Sequence, residues 1–141
     1  MVGAHAFRDR TMNIGALARE TGIAAKTIRY YESVGLIAAP PRSGGNYRVY
    51  DDRDLATLRF VQRARSLGFS VKEVGDLVAL WQNRRRASAD VRSLARAHLG
   101  EIERKLKELE SMRATLDHLI KRCHGNTRPD CPIIDELAMG S

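Results

Sequence analysis

The spacing of apolar residues along the chain changes character several times. Ile14, Leu17 and Ala18 share one helical face, and Gly22 follows as a helix stop. A second helix is expected over 24–34, with Ile28 and Tyr31 three apart on one side and Gly35 closing it. Two short helices joined across a glycine turn are a helix-turn-helix candidate. Pro40-Pro41 ends the helical pattern. Gly44, Gly45 and Asn46 then favour a turn, and the β-prone Tyr47-Arg-Val-Tyr50 suggests a small hairpin wing with Arg42 and Arg48 exposed.

Asp51 or Asp52 can cap a third helix reaching about Leu67, with Leu55, Leu58, Val61 and Gln62 on one face. Ser70 and Glu73 form a capping-box pattern for a fourth, whose stripe is Val71, Val74, Leu77, Val78 and Trp81. Trp81 is read as core. After the polar Arg84-Arg-Arg86, no proline interrupts 88–122, and Gly100 is the only glycine there. Apolar residues recur at 91, 94, 102, 106, 109, 112, 116 and 119, approximating a coiled-coil seam. Glu101/Lys105, Glu103/Lys107 and Asp117/Lys121 are favourable pairs one turn apart. A helix of that length rises about 50 Å. With little chain left to cover so narrow a stripe, it needs a partner, and a second copy is the simplest one.

Charge changes this picture from architecture to function. The chain of 141 residues carries a net +7, and all of that excess lies in residues 1–86; residues 87–141 are neutral. A basic module for a polyanion joined to a neutral module is the natural reading. The chain has no run of 18 apolar residues that could span a membrane, and the first 11 residues lack the apolar core of an export signal, so a cytoplasmic location is expected. The histidines at 5, 98, 118 and 124 are scattered. With no nucleophile–base set, phosphate loop or acid pair, an enzyme is not expected.

The chain has two cysteines, Cys123 and Cys131. They bracket a short segment whose Gly125 and Asn126 permit a tight reversal and whose Pro129 and Pro132 stiffen the return. Such a loop brings sulfurs together at little closure cost. Thiolates favour soft ions such as Cu(I) and Zn(II), and structural zinc ordinarily takes four ligands. On spacing alone, a metal site and a pair of inert or oxidisable thiols both remain open. Ile133, Ile134 and Leu137 could fold over the loop and exclude water.

Ile14-Gly-Ala-Leu-Ala, Thr27-Ile-Arg-Tyr-Tyr-Glu-Ser-Val-Gly-Leu-Ile37, Arg42-Ser-Gly-Gly-Asn-Tyr-Arg-Val-Tyr50, Ala64-Arg-Ser-Leu-Gly-Phe69 and Cys123-x₇-Cys131-Pro-Ile-Ile together resemble the MerR family of regulators, most of all its copper-efflux branch. The resemblance implies a mainly α fold. A flexible extension (1–11) would precede a winged helix-turn-helix (12–80), a junction (81–87) and a dimerisation helix forming an antiparallel coiled coil (88–122). A metal-binding loop and short helix (123–141) would follow. It implies a homodimer on double-stranded promoter DNA that acts on RNA polymerase. Lys26, Arg29 and Tyr31 would contact DNA from the recognition helix, Arg42, Tyr47 and Arg48 from the wing, and Arg65 from a second wing.

Cys123 and Cys131 would bind the metal. Members that sense divalent ions place a cysteine where this chain has Ser88, so the resemblance points to a monovalent ion, Cu(I), with Ag(I) or Au(I) as mimics. Arg92 would offset negative charge around the neighbouring subunit's loop. His124 keeps zinc or mercury open, and a redox-responsive regulator on the same frame is a further alternative.

Overall fold

The computed structural model describes residues 10–41, 44, 45 and 48–139. Arg42 and Tyr47, both expected in the wing, lie outside them. The chain divides into two compact units, Met1–Leu94 and Ala95–Ser141.

In the first unit, β1 (Thr11–Met12) precedes α1 (Ile14–Thr21) and α2 (Ala25–Ser33). Asn13 caps α1, its Oδ1 accepting the Ala16 N–H at 2.8 Å. Gly22 ends α1 at φ +76°, and its N–H donates to the Ala18 carbonyl. Thr21 tightens the turn between the two helices: its hydroxyl donates to the Leu17 carbonyl at 2.8 Å and accepts the Ile23 N–H at 3.1 Å.

β2 (Tyr50–Asp51) leads into α3 (Asp52–Ser66), and α4 (Val71–Gln82) follows. Both helices open with a reciprocal capping box, Asp51 with Asp54 and Ser70 with Glu73. Leu17, Ile28, Tyr50, Leu58, Val61 and Val74 are fully buried and form the centre of the core. α3 packs on α4 and α1, and α1 on α2.

Two expectations are corrected here. β2 pairs antiparallel with β1, Thr11 opposite Asp51 and Met12 opposite Tyr50. The wing segment closes through the Val49 N–H on the Pro41 carbonyl at 2.9 Å. Residues 10 and 11 are therefore not a free extension. Arg10 reaches both Glu20 (2.8 Å) and Asp52 (2.7 Å), fastening the start of the chain to α1 and α3. Trp81, read as core, is 39% exposed, although its ring stacks on Phe60 with centroids 4.5 Å apart.

α5 runs unbroken from Ser88 to Arg122 and carries on into the second unit, where α6 (Pro132–Met139) ends the described chain. Leu99, Ile102, Leu106, Leu109, Met112, Leu116 and Ile120 are all exposed along α5. Leu119 alone among the large apolar side chains of this unit is buried. Asp117 and Lys121 pair at 2.9 Å, and Arg104 with Glu108 at 3.5 Å. Exposed pairs of this kind contribute a few tenths of a kcal/mol, roughly 0.3–0.5 each, so they shape the polar face without holding the helix in place.

Candidate metal loop and nucleic-acid face

Cys123 follows the last turn of α5, its N–H donating to the Ile120 carbonyl at 3.1 Å. Gly125 reverses the chain at φ +63°, and the Asn126 side chain accepts the Arg128 N–H at 2.9 Å. Cys131 then stands immediately before α6, whose first residue is Pro132, a position that needs no N–H. The Cys131 carbonyl accepts the Asp135 N–H at 3.0 Å, which makes Cys131 the cap of that helix.

This path brings the two half-buried sulfurs to 3.8 Å, both as free thiols. A disulfide requires about 2.0 Å. A zinc–thiolate bond is roughly 2.3 Å, so two sulfurs on one ion of that size lie between about 3.8 Å (tetrahedral angle) and about 4.6 Å (linear). The pair thus fits a shared ion.

The cap position also supplies charge stabilisation. The Ile134 N–H is the main influence holding the Cys131 thiol below its ordinary pKa. Partial desolvation opposes it, the Ile133 N–H and the Cys123 thiol add to it, and Asp135 works the other way. A sulfur at a helix N-terminus is stabilised as thiolate for this reason.

Among the described residues, no third His, Cys, Asp or Glu ligand atom lies within 4.8 Å of both sulfurs. His124, the sequence candidate for a nitrogen ligand, is exposed and does not complete such a group. Ser88 and Arg92 are exposed at the opposite end of α5 from Cys123, and 35 helical residues rise by about 52 Å. The apolar lid takes shape only in part: Ile133 is half-buried, whereas Ile134 and Leu137 are 62% and 72% exposed.

The second candidate surface lies in the helix-turn-helix unit. Lys26 and Arg29 sit one turn apart on α2 and are exposed, as phosphate or base-edge contacts require. Tyr31 is corrected: only 8% exposed, its ring belongs to the core, and the exposed ring of the pair is Tyr30 at 50%. The α2 face that packs on the core carries Ile28 and Tyr31 together, so helical spacing alone already separates Tyr31 from Tyr30. Arg65 is exposed, and its Nη1 donates to the Phe69 carbonyl at 2.7 Å across the end of α3. Arg48 is partly exposed and its Nε lies 3.3 Å from Glu32. Sequence reasoning gave Glu32 no role. Its carboxylate is buried, and it accepts the Tyr50 hydroxyl at 3.1 Å. A glutamate in the last turn of a helix, where the dipole disfavours it, is the one signal that pointed there.

A helix-turn-helix with exposed cations on its second helix, followed by a long helix with an exposed apolar stripe, is the architecture of a DNA-binding transcription regulator. Two family profiles agree with that class: "MerR HTH family regulatory protein" matches residues 12–80, and "MerR, DNA binding" matches residues 55–119. The chain is 52% identical over 130 residues to heavy metal-dependent transcription regulator 2 of Rhizobium meliloti strain 1021, covering 92% of this chain and 88% of that one. It is 44% identical over 127 residues to the HTH-type transcriptional regulator CueR of Salmonella typhimurium, covering 90% and 92%.

Among solved structures, the fold is similar to the transcription regulator PbrR691 of Ralstonia metallidurans CH34 in complex with lead(II). The TM-score is 0.80 at 32% identity, over 89% of this chain and 98% of that one. The chain belongs to the MerR family of helix-turn-helix transcription regulators. No helix among the described residues is long and apolar enough to cross a membrane.

Proposed function

We propose that this chain is a cytoplasmic, homodimeric, metal-responsive regulator that binds double-stranded promoter DNA and activates copper-resistance or efflux genes when Cys123 and Cys131 take up Cu(I). Ag(I) and Au(I) are its chemical mimics. The observation that carries the reading is the isolated sulfur pair: two thiols 3.8 Å apart, with no third ligand atom near both among the described residues. A two-thiolate set suits a soft monovalent ion, whereas structural zinc takes four ligands and catalytic zinc three plus water. Two thiolates with one such ion leave one net negative charge, which the α6 N–H groups partly offset and Arg92 of a second copy completes. Ser88, which cannot give a third thiolate, supports the same choice.

Cys123 and Cys131 would hold the ion, whose soft coordination to both thiolates would link the residue after α5 to the residue before α6. Cys123 and Cys131 hold that junction, and the segment between them is fixed at both ends. The exposed stripe of α5 pairs with that of a second copy, and Lys26, Arg29, Arg48 and Arg65 fasten the dimer to the DNA backbone. Activation then consists of bending and untwisting the promoter spacer so that RNA polymerase meets realigned elements. The deformation costs on the order of 1–6 kcal/mol and must come from contacts that differ between the two states.

A divalent ion is the second reading, favoured by the lead(II)-bound relative in fold. Anaerobic titration of the reduced protein separates them: one Cu(I) per protomer, retained against excess Zn(II) or Pb(II), is the expected result. Run-off transcription with Cys123→Ser completes the test. Cu(I)-dependent activation surviving that substitution would sink the sensor site, and tight uptake of no metal at all would leave the thiols as a redox pair.

A further inference from the structure

Glu32 poses a physical problem. Its carboxylate, 7% exposed, sits in the last turn of α2, where the helix dipole is already negative and where the unit is otherwise basic. Burying it costs free energy unless it is paired and hydrogen-bonded. The structure gives it two partners, one from the wing and one from the strand that follows it. The Tyr50 hydroxyl is 3.1 Å from each carboxylate oxygen, and the Arg48 Nε is 3.3 Å from one of them. Tyr50 itself is fully buried and is fixed in β2. The carboxylate is therefore held by the buried Tyr50 hydroxyl and meets Arg48 through Oε1. Arg48 remains one-third exposed. An arginine anchored through Nε keeps the far edge of its five-donor fork for a second acceptor.

We propose that Glu32 is a positioning residue for DNA binding: braced by Tyr50, its carboxylate aims the Arg48 guanidinium at a backbone phosphate and ties the wing to the recognition helix. The proposal rests on the reading that Arg48 meets DNA. It predicts a sign opposite to that of simple charge. Removing a carboxylate raises the net charge by one, so charge alone would tighten binding to a polyanion. If Glu32 aims Arg48, losing it weakens binding and removes a phosphate contact.

The test uses the reduced, metal-free full chain and a fluorescein-labelled duplex that the wild-type protein has selected from a random pool, with affinity measured by anisotropy over a range of salt. Each phosphate contact contributes about 0.9 to the slope of log K against log salt. Arg48→Ala and Glu32→Gln are each expected to lower that slope by about 0.9 per protomer, and the double variant to lower it no further. Glu32→Asp, which keeps the charge but withdraws the carboxylate by one methylene, is expected to lower it as well, and it decides in the same way should Glu32→Gln fail to fold.

A fold effect alone would lower the melting temperature and leave the slope unchanged. An Arg48→Ala variant with the wild-type slope would overturn the premise that Arg48 touches phosphate. A lowered slope for Arg48→Ala, with wild-type slope or tighter binding for both Glu32 variants, would leave that premise standing and overturn the role of Glu32.

Discussion

Leu109→Ala is the sharpest test of how α5 is covered. Leu109 is 58% exposed near the middle of the helix, and Leu99, Ile102, Leu106, Met112, Leu116 and Ile120 are 38–59% exposed on the same element. Burying a whole leucine side chain is worth roughly 1.5–3 kcal/mol. A little over half of Leu109 is left to bury, so truncation to alanine forfeits about 1 kcal/mol per copy, and a dimer contains two copies. The loss of about 2 kcal/mol is a roughly 30-fold weaker dimer. Alanine is the right replacement because it preserves helix propensity, so the effect is confined to the contact. Sedimentation equilibrium of the reduced, metal-free protein gives both dissociation constants. A wild-type chain that sediments as a monomer at micromolar concentration, or a variant with an unchanged dissociation constant, would refute the pairing.

Three further outcomes follow from the first unit. Leu58→Ala, at a fully buried position between α3 and its neighbours, is expected to cost about 2–5 kcal/mol in urea unfolding. A loss under 1 kcal/mol would mean the core collapses around the gap. Gly22→Ala forces an L-residue to φ +76° although its Cβ would meet only Gln62 at 3.8 Å, so the cost is backbone strain of about 1–2 kcal/mol, read as a lower melting temperature with the helical signal retained. Tyr50 keeps its proton well above the ordinary tyrosine pKa, chiefly because it is desolvated and then because it donates to Glu32. The folded state therefore holds a proton that the unfolded chain loses near pH 10, and stability should fall as pH rises past that point. Tyr50→Phe should flatten that alkaline slope, and an identical slope in the variant would show that the hydroxyl is not held as described.

Local signals were the ones the sequence exposed. Ser70 and Glu73 announced α4 because a capping box needs only four adjacent residues. Cys123 and Cys131 could be paired in advance because the turn between them is short and rich in Gly and Pro. What stayed hidden was non-local. The partner of β2 is two residues from the other end of the unit, and nothing in Tyr47–Tyr50 names Thr11 and Met12. Arg10 looked like part of a loose extension because its two carboxylate partners are 10 and 42 residues away. Tyr31 was assigned twice, to the core face with Ile28 and to the DNA face; its spacing from Ile28 already pointed inward, and its burial bears that out. Glu32 escaped because its partners lie across a turn whose path residue types do not fix.

The stacked pair Phe60–Trp81 has a practical consequence. Trp81 is the only indole in the chain, and it stands one residue from the end of α4, where Arg86 donates to its carbonyl at 3.0 Å. Its emission can therefore be excited selectively, without a dye or an engineered label. Any rearrangement of the polar stretch leading into α5 that unstacks the two rings or shifts their hydration would alter the colour and intensity of that light. The protein carries its own optical gauge where α4 gives way to the stretch before α5.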